Sequence, residues 1–281
     1  MHERSASVIV LATIVATSVT SAARDDGDPV APASGHSDEA LANQVANPLA
    51  NLISVPLQSN FEFGLGRDDD GFRYLLNIQP VIPIALGGDW LVITRVILPV
   101  VYQDDVVTSQ DSSGDSIGGT ADTTASVWLA TPPIGGLVLG LGPVTVLPTS
   151  TDDRLAPGHF GLGPTAIALW QSHGVTAGVL MNHVWTFTEE DDDYSQTFVQ
   201  PFLSYVLPTS TTLTVQSETS YEWHSDTWTA PLIAGVSQLV RIGPLPMSFG
   251  VQGKWYVEHP ESAPDWGLRA IVTALLPTGA H

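Results

Sequence analysis

The sequence predicts an all-β protein, a closed antiparallel transmembrane β-barrel of about 12 strands, and three features predict it. About a dozen short stretches alternate apolar and polar residues, the period-two pattern of strands with one apolar and one polar face. Trp or Tyr stands near many of the tips, where amphipathic rings suit a membrane–water interface. The connections switch between short and long, and the long set carries most of the acid.

Composition bounds the remaining classes. The chain has 281 residues, enough for one large all-β domain. Its net charge is −20 with only 9 Lys+Arg, which argues against a nucleic-acid partner, since phosphate neutralisation needs basic clusters. Cys is absent, which excludes disulfides, thiolate metal sites and Cys nucleophiles.

The order of segments is that of an exported barrel. Residues 1–23 read as a signal peptide: Arg4 supplies a basic start, residues 8–19 are largely apolar, and small residues allow cleavage near Ala22 or Ala23. Residues 24–58 read as a linker and a short periplasmic helix. Ser37 is placed to cap a helix from Asp38 to about Ala46, with Asp38 and Glu39 in its first turn. Pro48 and Pro56 bracket an extended segment, and the barrel proper is expected over residues 59–281. The longest later apolar run, residues 90–101, is interrupted by Arg95 and Pro99, so insertion has to proceed by strands rather than helices.

Strands are expected at residues 59–66, 72–84, 90–103, 121–130, 137–147, 160–170, 175–187, 196–207, 211–223, 228–241, 247–258 and 266–276. The connections at 85–89, 131–136, 171–174, 208–210 and 242–246 are short and carry little charge. The alternate set, 67–71, 104–120, 148–159, 188–195, 224–227 and 259–265, holds the acidic runs. Outer-membrane barrels have short periplasmic turns and longer outside loops, which places both termini in the periplasm and the protein in the bacterial outer membrane. Outer-membrane lipid and the barrel-assembly machinery are then its partners.

Parity assigns the faces. On the strand from Trp90, the even positions Trp90, Val92, Val96, Leu98, Val100 and Tyr102 form an apolar face broken by Thr94, while Arg95 and Gln103 lie opposite. Twelve steps at ~3.3 Å and a ~40° tilt give about 30 Å of height, close to an apolar band with its girdles. The expected interface aromatics are Trp90, Tyr102, Trp128, Trp170, Trp185, Trp223, Trp228, Trp255 and Trp266. The expected lumen or selectivity residues are Glu62, Arg73, Gln79, Arg95, Gln216, Glu218, Glu222, Lys254 and Arg269, with Asn77, Gln200 and Gln252 on the same faces. A charge facing lipid at mid-depth costs ~2–4 kcal/mol, which favours the inward side. Such residues either clamp a narrow barrel or line a conduction path, and clamping at most positions beside a narrow path is the expectation.

Several blocks also resemble a bacterial outer-membrane family described by the meta-pathway of phenol degradation, and often simply called transporters. They include Asn47-Pro48-Leu49-Ala50-Asn51, Tyr74-Leu75-Leu76-Asn77-Ile78-Gln79-Pro80, Gly140-Leu141-Gly142-Pro143, Gly161-Leu162-Gly163-Pro164, Asn182-His183-Val184-Trp185 and Trp266-Gly267-Leu268-Arg269. The resemblance runs over about residues 47–277. It implies an outer-membrane barrel with a transport role, and it is the sole pointer to an aromatic or apolar small-molecule solute.

Chemistry is poorly represented. His183 has no adjacent Ser and no Gly-x-Ser-x-Gly elbow exists; the loop histidines lack metal-ligand spacing; the acidic runs lack calcium-loop spacing. The Gly-Leu-Gly-Pro blocks are followed by no helix, and small residues on a curved wall are the simpler account. The expectation is a channel or transporter with no enzymatic activity, cofactor or metal site. The alternatives are an outer-membrane lipid hydrolase and a non-conducting structural or adhesive barrel.

Overall fold

The computed structural model describes residues 38–107, 113–186 and 195–276. The expected signal peptide, residues 24–37 with Ser37, the acidic run 189–193 and the tail 277–281 lie outside the described residues.

One helix, α1 (Asp38–Val45), precedes twelve antiparallel barrel strands. They are β1 (Ile53–Leu65), β2 (Gly71–Ile78, resuming at Val81–Gly87), β3 (Trp90–Asp104) and β4 (Ile117–Thr120, resuming at Thr123–Ala130). Next come β5 (Leu137–Leu147), β6 (Gly161–Ser172), β7 (Val175–Thr186) and β8 (Ser195–Val206). The last four are β9 (Thr211–Ser217, resuming at Thr219–Glu222), β10 (Thr227–Ile242), β11 (Leu245–Glu258) and β12 (Trp266–Leu276). Each pairs with its chain neighbours, and β1 pairs with β12 from Ile53↔Leu276 to Phe63↔Trp266, which closes the sheet and removes its edges.

Some prolines coincide with breaks in the ladder, because they bring no N–H, and others are carried within it. Pro80 lies in the gap of β2, and Glu218, the gap residue of β9, stands in register with Pro231 of β10. Pro143 and Pro164 pair with each other across β5 and β6. The adjoining glycines are needed for close approach: a Cβ on Gly142 would collide with the backbone of Val127, and one on Gly163 with that of His183. Of the short turns, Ser172-His173-Gly174-Val175 has φ of 49° and 79° at its two central residues, the left-handed pair that matches the twist of a two-residue hairpin.

The outer face is apolar. Leu141, Leu203, Leu232, Val251 and Leu268 are all exposed, as lipid contact would require. Parity follows the sequence pattern: on β3, Trp90, Val96, Val100 and Tyr102 point out while Ile93 and Val101 are buried.

The interior is filled at the end bearing the short turns. Helix α1 and the segment behind it fold into the barrel, where Leu41, Ala42 and Leu52 pack on Val206, Leu239 and Leu275. Leu49 joins a second cluster with Ile93, Trp128, Ala130, Val138, Ile167, Leu169 and Leu180. Gly140 leaves room for it, since a Cβ there would sit 2.7 Å from Ile167 Cγ2 and 3.4 Å from Leu49 Cδ1. Polar ties fix the segment: Gln171 Nε2 donates to the Asn43 carbonyl at 2.7 Å, and Arg241 Nε donates to Asp38 Oδ1 at 2.6 Å. The wall begins at Ile53, six residues before the expected start at 59, because Pro56 is accommodated opposite Thr273 in β1.

Candidate functional site

Inward-facing positions of nearly every strand converge on a cavity of ≈ 640 Å³ above the Leu49 cluster. Amide side chains dominate its polar wall: Gln58, Asn77, Gln79, Gln200, Gln216 and Gln252. They bond to one another in pairs, Gln79 Nε2 to Gln58 Oε1 at 3.2 Å and Gln200 Nε2 to Gln216 Oε1 at 3.1 Å. Ile97, Val144, Val146, Val184, Phe198 and Ile271 supply an apolar wall.

The charged residues fall into three sets. Glu62 is fully buried: its Oε1 accepts from Lys254 Nζ at 2.6 Å and Tyr256 Oη at 3.0 Å, and its Oε2 from Arg73 at 2.8 Å. Gly267, between Glu62 and Lys254 in register, makes this contact possible across β12, since a Cβ there would lie 3.3 Å from Glu62 Cγ. In the second set, Arg269 forks onto Glu218, with 2.7 Å from each terminal nitrogen to one carboxylate oxygen, while its Nε donates to Asn60 Oδ1 at 2.6 Å. This pair links β12 to β9 inside the barrel. The third set is Arg95 alone. Its guanidinium carbon lies 5.1 Å from the centre of the Trp128 ring, and its Nε is buried without a hydrogen-bond partner among the described residues.

Two expected residues are placed otherwise. Trp128 is not an interface aromatic: it is 2% exposed, points inward with Ser126 and Ala130, and donates its indole N–H to Thr165 Oγ1 at 3.2 Å. Proximity to a strand end suggested the girdle, but the parity of β4 turns it inward. Glu222 does not line the cavity. Its carboxylate accepts from the backbone N–H of His224 and Ser225, and so closes the turn after β9. The other expected aromatics do lie outside, Tyr102, Trp185, Trp223, Trp228, Trp255 and Trp266 toward the long loops and Trp90 and Trp170 toward the short turns. Trp266 stacks on Phe63 at 4.6 Å, and Tyr221 packs on Trp228 at the same distance.

A long loop also reaches the cavity. Ala156, Pro157 and His159 form part of its wall. Asp122 tethers them: Oδ1 accepts from the backbone N–H of Thr149 at 3.1 Å and Ser150 at 3.0 Å, and Oδ2 from that of Gly158 at 3.0 Å. In the same loop Arg154 donates to Asp152 at 3.0 and 3.2 Å and holds that exposed carboxyl below its ordinary range.

One constellation was invisible in one dimension. His183, on the outer face of β7, has Ser195 Oγ 3.3 Å from Nε2 and Thr197 Oγ1 2.7 Å from Nδ1. Trp223 Nε1 donates to the same Thr197 oxygen at 2.9 Å. Pairing of β7 with β8 brings Ser195 and Thr197 across from His183, a contact that no local motif could announce.

No family profile and no curated protein matches this sequence. Solved structures do. The COG4313 outer membrane channel from Pseudomonas putida F1 superposes with a TM-score of 0.63 at 11% identity, over 80% of this chain and 96% of that one. The chain has the fold of an outer-membrane β-barrel. The NanC porin follows with a TM-score of 0.49 at 8% identity, over 78% of this chain and 98% of that one. Outer membrane phospholipase A from Escherichia coli gives 0.40 at 14% identity, over 84% and 97%.

Proposed function

We propose that the protein is an exported bacterial outer-membrane channel or transporter that passes a small solute through the barrel interior. The observation that carries this reading is the cavity of ≈ 640 Å³, lined by amide, charged and apolar side chains from ten of the twelve strands inside a closed barrel. The resemblance to the phenol-degradation outer-membrane proteins, together with the apolar wall and the Leu49 cluster beneath it, supports an aromatic or apolar compound. Residues 1–23 are removed on export, and the long loops face outward. Single-channel recording of purified protein, paired with solute flux into liposomes, tests the proposal. A silent bilayer and absent flux would leave a non-conducting structural or adhesive barrel.

A second reading, an outer-membrane lipid hydrolase, is favoured by the Ser195–His183–Thr197 contacts on the lipid-facing side. A hydroxyl within reach of an oriented imidazole is the minimal nucleophile–base pair. Lipid turnover that disappears in both His183→Ala and Ser195→Ala would establish it; turnover absent from the wild type would dismiss it.

A further inference from the structure

We propose that Arg95, seated on the Trp128 ring, forms with the apolar wall beside it an internal binding site for the carboxylate of a small aromatic or amphipathic acid. The inference deepens the channel reading by naming the class of solute its interior recognises, and rests on that reading for the solute's passage alone.

The interior cations are not equivalent. Arg73 and Lys254 share Glu62, and Arg269 is committed to Glu218 and Asn60. The carboxylates are used up as well. Both oxygens of Glu62 and both of Glu218 already accept from cations, and Asp122 is occupied by three backbone N–H groups. Arg95 therefore has no carboxylate left to it among the described residues, although it lies within the field of Glu218. A guanidinium taken from bulk water without a partner is costly, and that cost is recovered when an anion arrives. Its planar fork matches a carboxylate in two parallel hydrogen bonds, which its two terminal nitrogens would donate, the Nε being buried behind them.

The surroundings select the rest of the ligand. The indole face of Trp128 lies under the guanidinium, and the ring, 2% exposed and with its N–H taken by Thr165, backs Arg95 from behind and does not line the cavity. Ile97, Val184, Phe198 and Ile271 border the same space. A volume of ≈ 640 Å³ is in the range of sites that enclose small organic molecules. An inorganic anion would satisfy the charge and leave the apolar wall facing water. A neutral aromatic would do the reverse.

Benzoate is the probe, with benzyl alcohol and chloride as controls. Binding is measured by calorimetry on detergent-solubilised full-length protein, so it does not depend on conduction. The wild type is expected to bind benzoate, Arg95→Gln to bind it at least about tenfold more weakly, and Arg95→Lys to fall between, as loss of a charge-assisted fork would give. Benzyl alcohol should be indifferent to residue 95, and chloride should compete weakly. A heat-modifiable band confirms that each variant is folded. Benzoate bound equally by wild type and Arg95→Gln, or not bound at all, would overturn the site even if the barrel conducts. Arg95-dependent binding in a barrel that passes no current would keep the site and remove the transport role.

Discussion

Arg269 and Glu218 face each other inside the barrel from β12 and β9, two strands that do not touch, and meet fork to fork at 2.7 Å for both bonds. Arg269 is 3% exposed. A pair in that setting behaves as a strut: Arg269 has been taken out of water, Glu218 keeps 24% exposure at the cavity wall, and the buried charge is tolerable because the other is there. Arg269→Ala is expected to destabilise the folded barrel by roughly 3–5 kcal/mol, because it strands Glu218. Chemical unfolding of the purified variant checks this. An unchanged midpoint would mean that the strut carries no load.

Arg95 should respond in the opposite way. Among the described residues it has no carboxylate partner to strand, so Arg95→Ala is expected to leave the unfolding midpoint unchanged or raise it, while shifting ion selectivity toward cations, as removal of such a positive charge from a narrow path requires. Reversal potentials under a salt gradient read the shift. Loss of stability with no change in selectivity would make Arg95 a clamp like Arg269.

The strand rhythm was legible because two solvents impose it. Lipid outside and polar side chains inside force alternation on every wall strand, and each of the twelve expected strands is present. The position of Trp128 was decided by parity with Ser126 and Ala130, which outweighs closeness to a strand end. Less could be read of residues 38–52. Leu41, Leu49 and Leu52 follow neither strand parity nor a long apolar helix, so nothing local says that they fold inside the barrel; only the space left by Gly140 and its neighbours does. The ion pairs were legible as inward charges but not as partners, since Glu62 meets Lys254 only because Gly267 lies between them in register.

The packed N-terminal segment implies a mechanical test. Leu49 sits at 3% exposure among Ile93, Trp128 and Ile167. Leu49→Asp would bury a carboxylate among apolar side chains, and the segment is expected to leave the barrel instead, raising single-channel conductance. Conductance equal to that of the wild type would show that this segment does not limit the path.

Orientation is open to direct labelling, because the chain has no Cys to interfere. The proposed topology expects Ser113→Cys, in a long connection, to react with an impermeant thiol reagent on intact cells. Thr209→Cys, exposed in a short turn, should react only after the outer membrane is opened. The reverse pattern would invert the barrel.

Asp122 gives the last test, since one carboxylate holds a whole loop against the cavity. Its oxygens accept from Thr149, Ser150 and Gly158, which brackets the segment that carries Ala156 and Pro157 into the wall. Charge-assisted bonds to backbone N–H are each worth about 1.5–3 kcal/mol, and no other described side chain accepts from these three groups. Asp122→Ala is therefore expected to free the loop while the strands stay paired, giving a larger and noisier current and faster proteolysis within residues 149–158. Asp122→Asn keeps one acceptor oxygen and loses the other, so it should fall between wild type and Asp122→Ala. Wild-type currents and cleavage rates in both variants would show that the loop is held by its own Thr149 and Thr151 contacts with Thr120 and Thr123 instead.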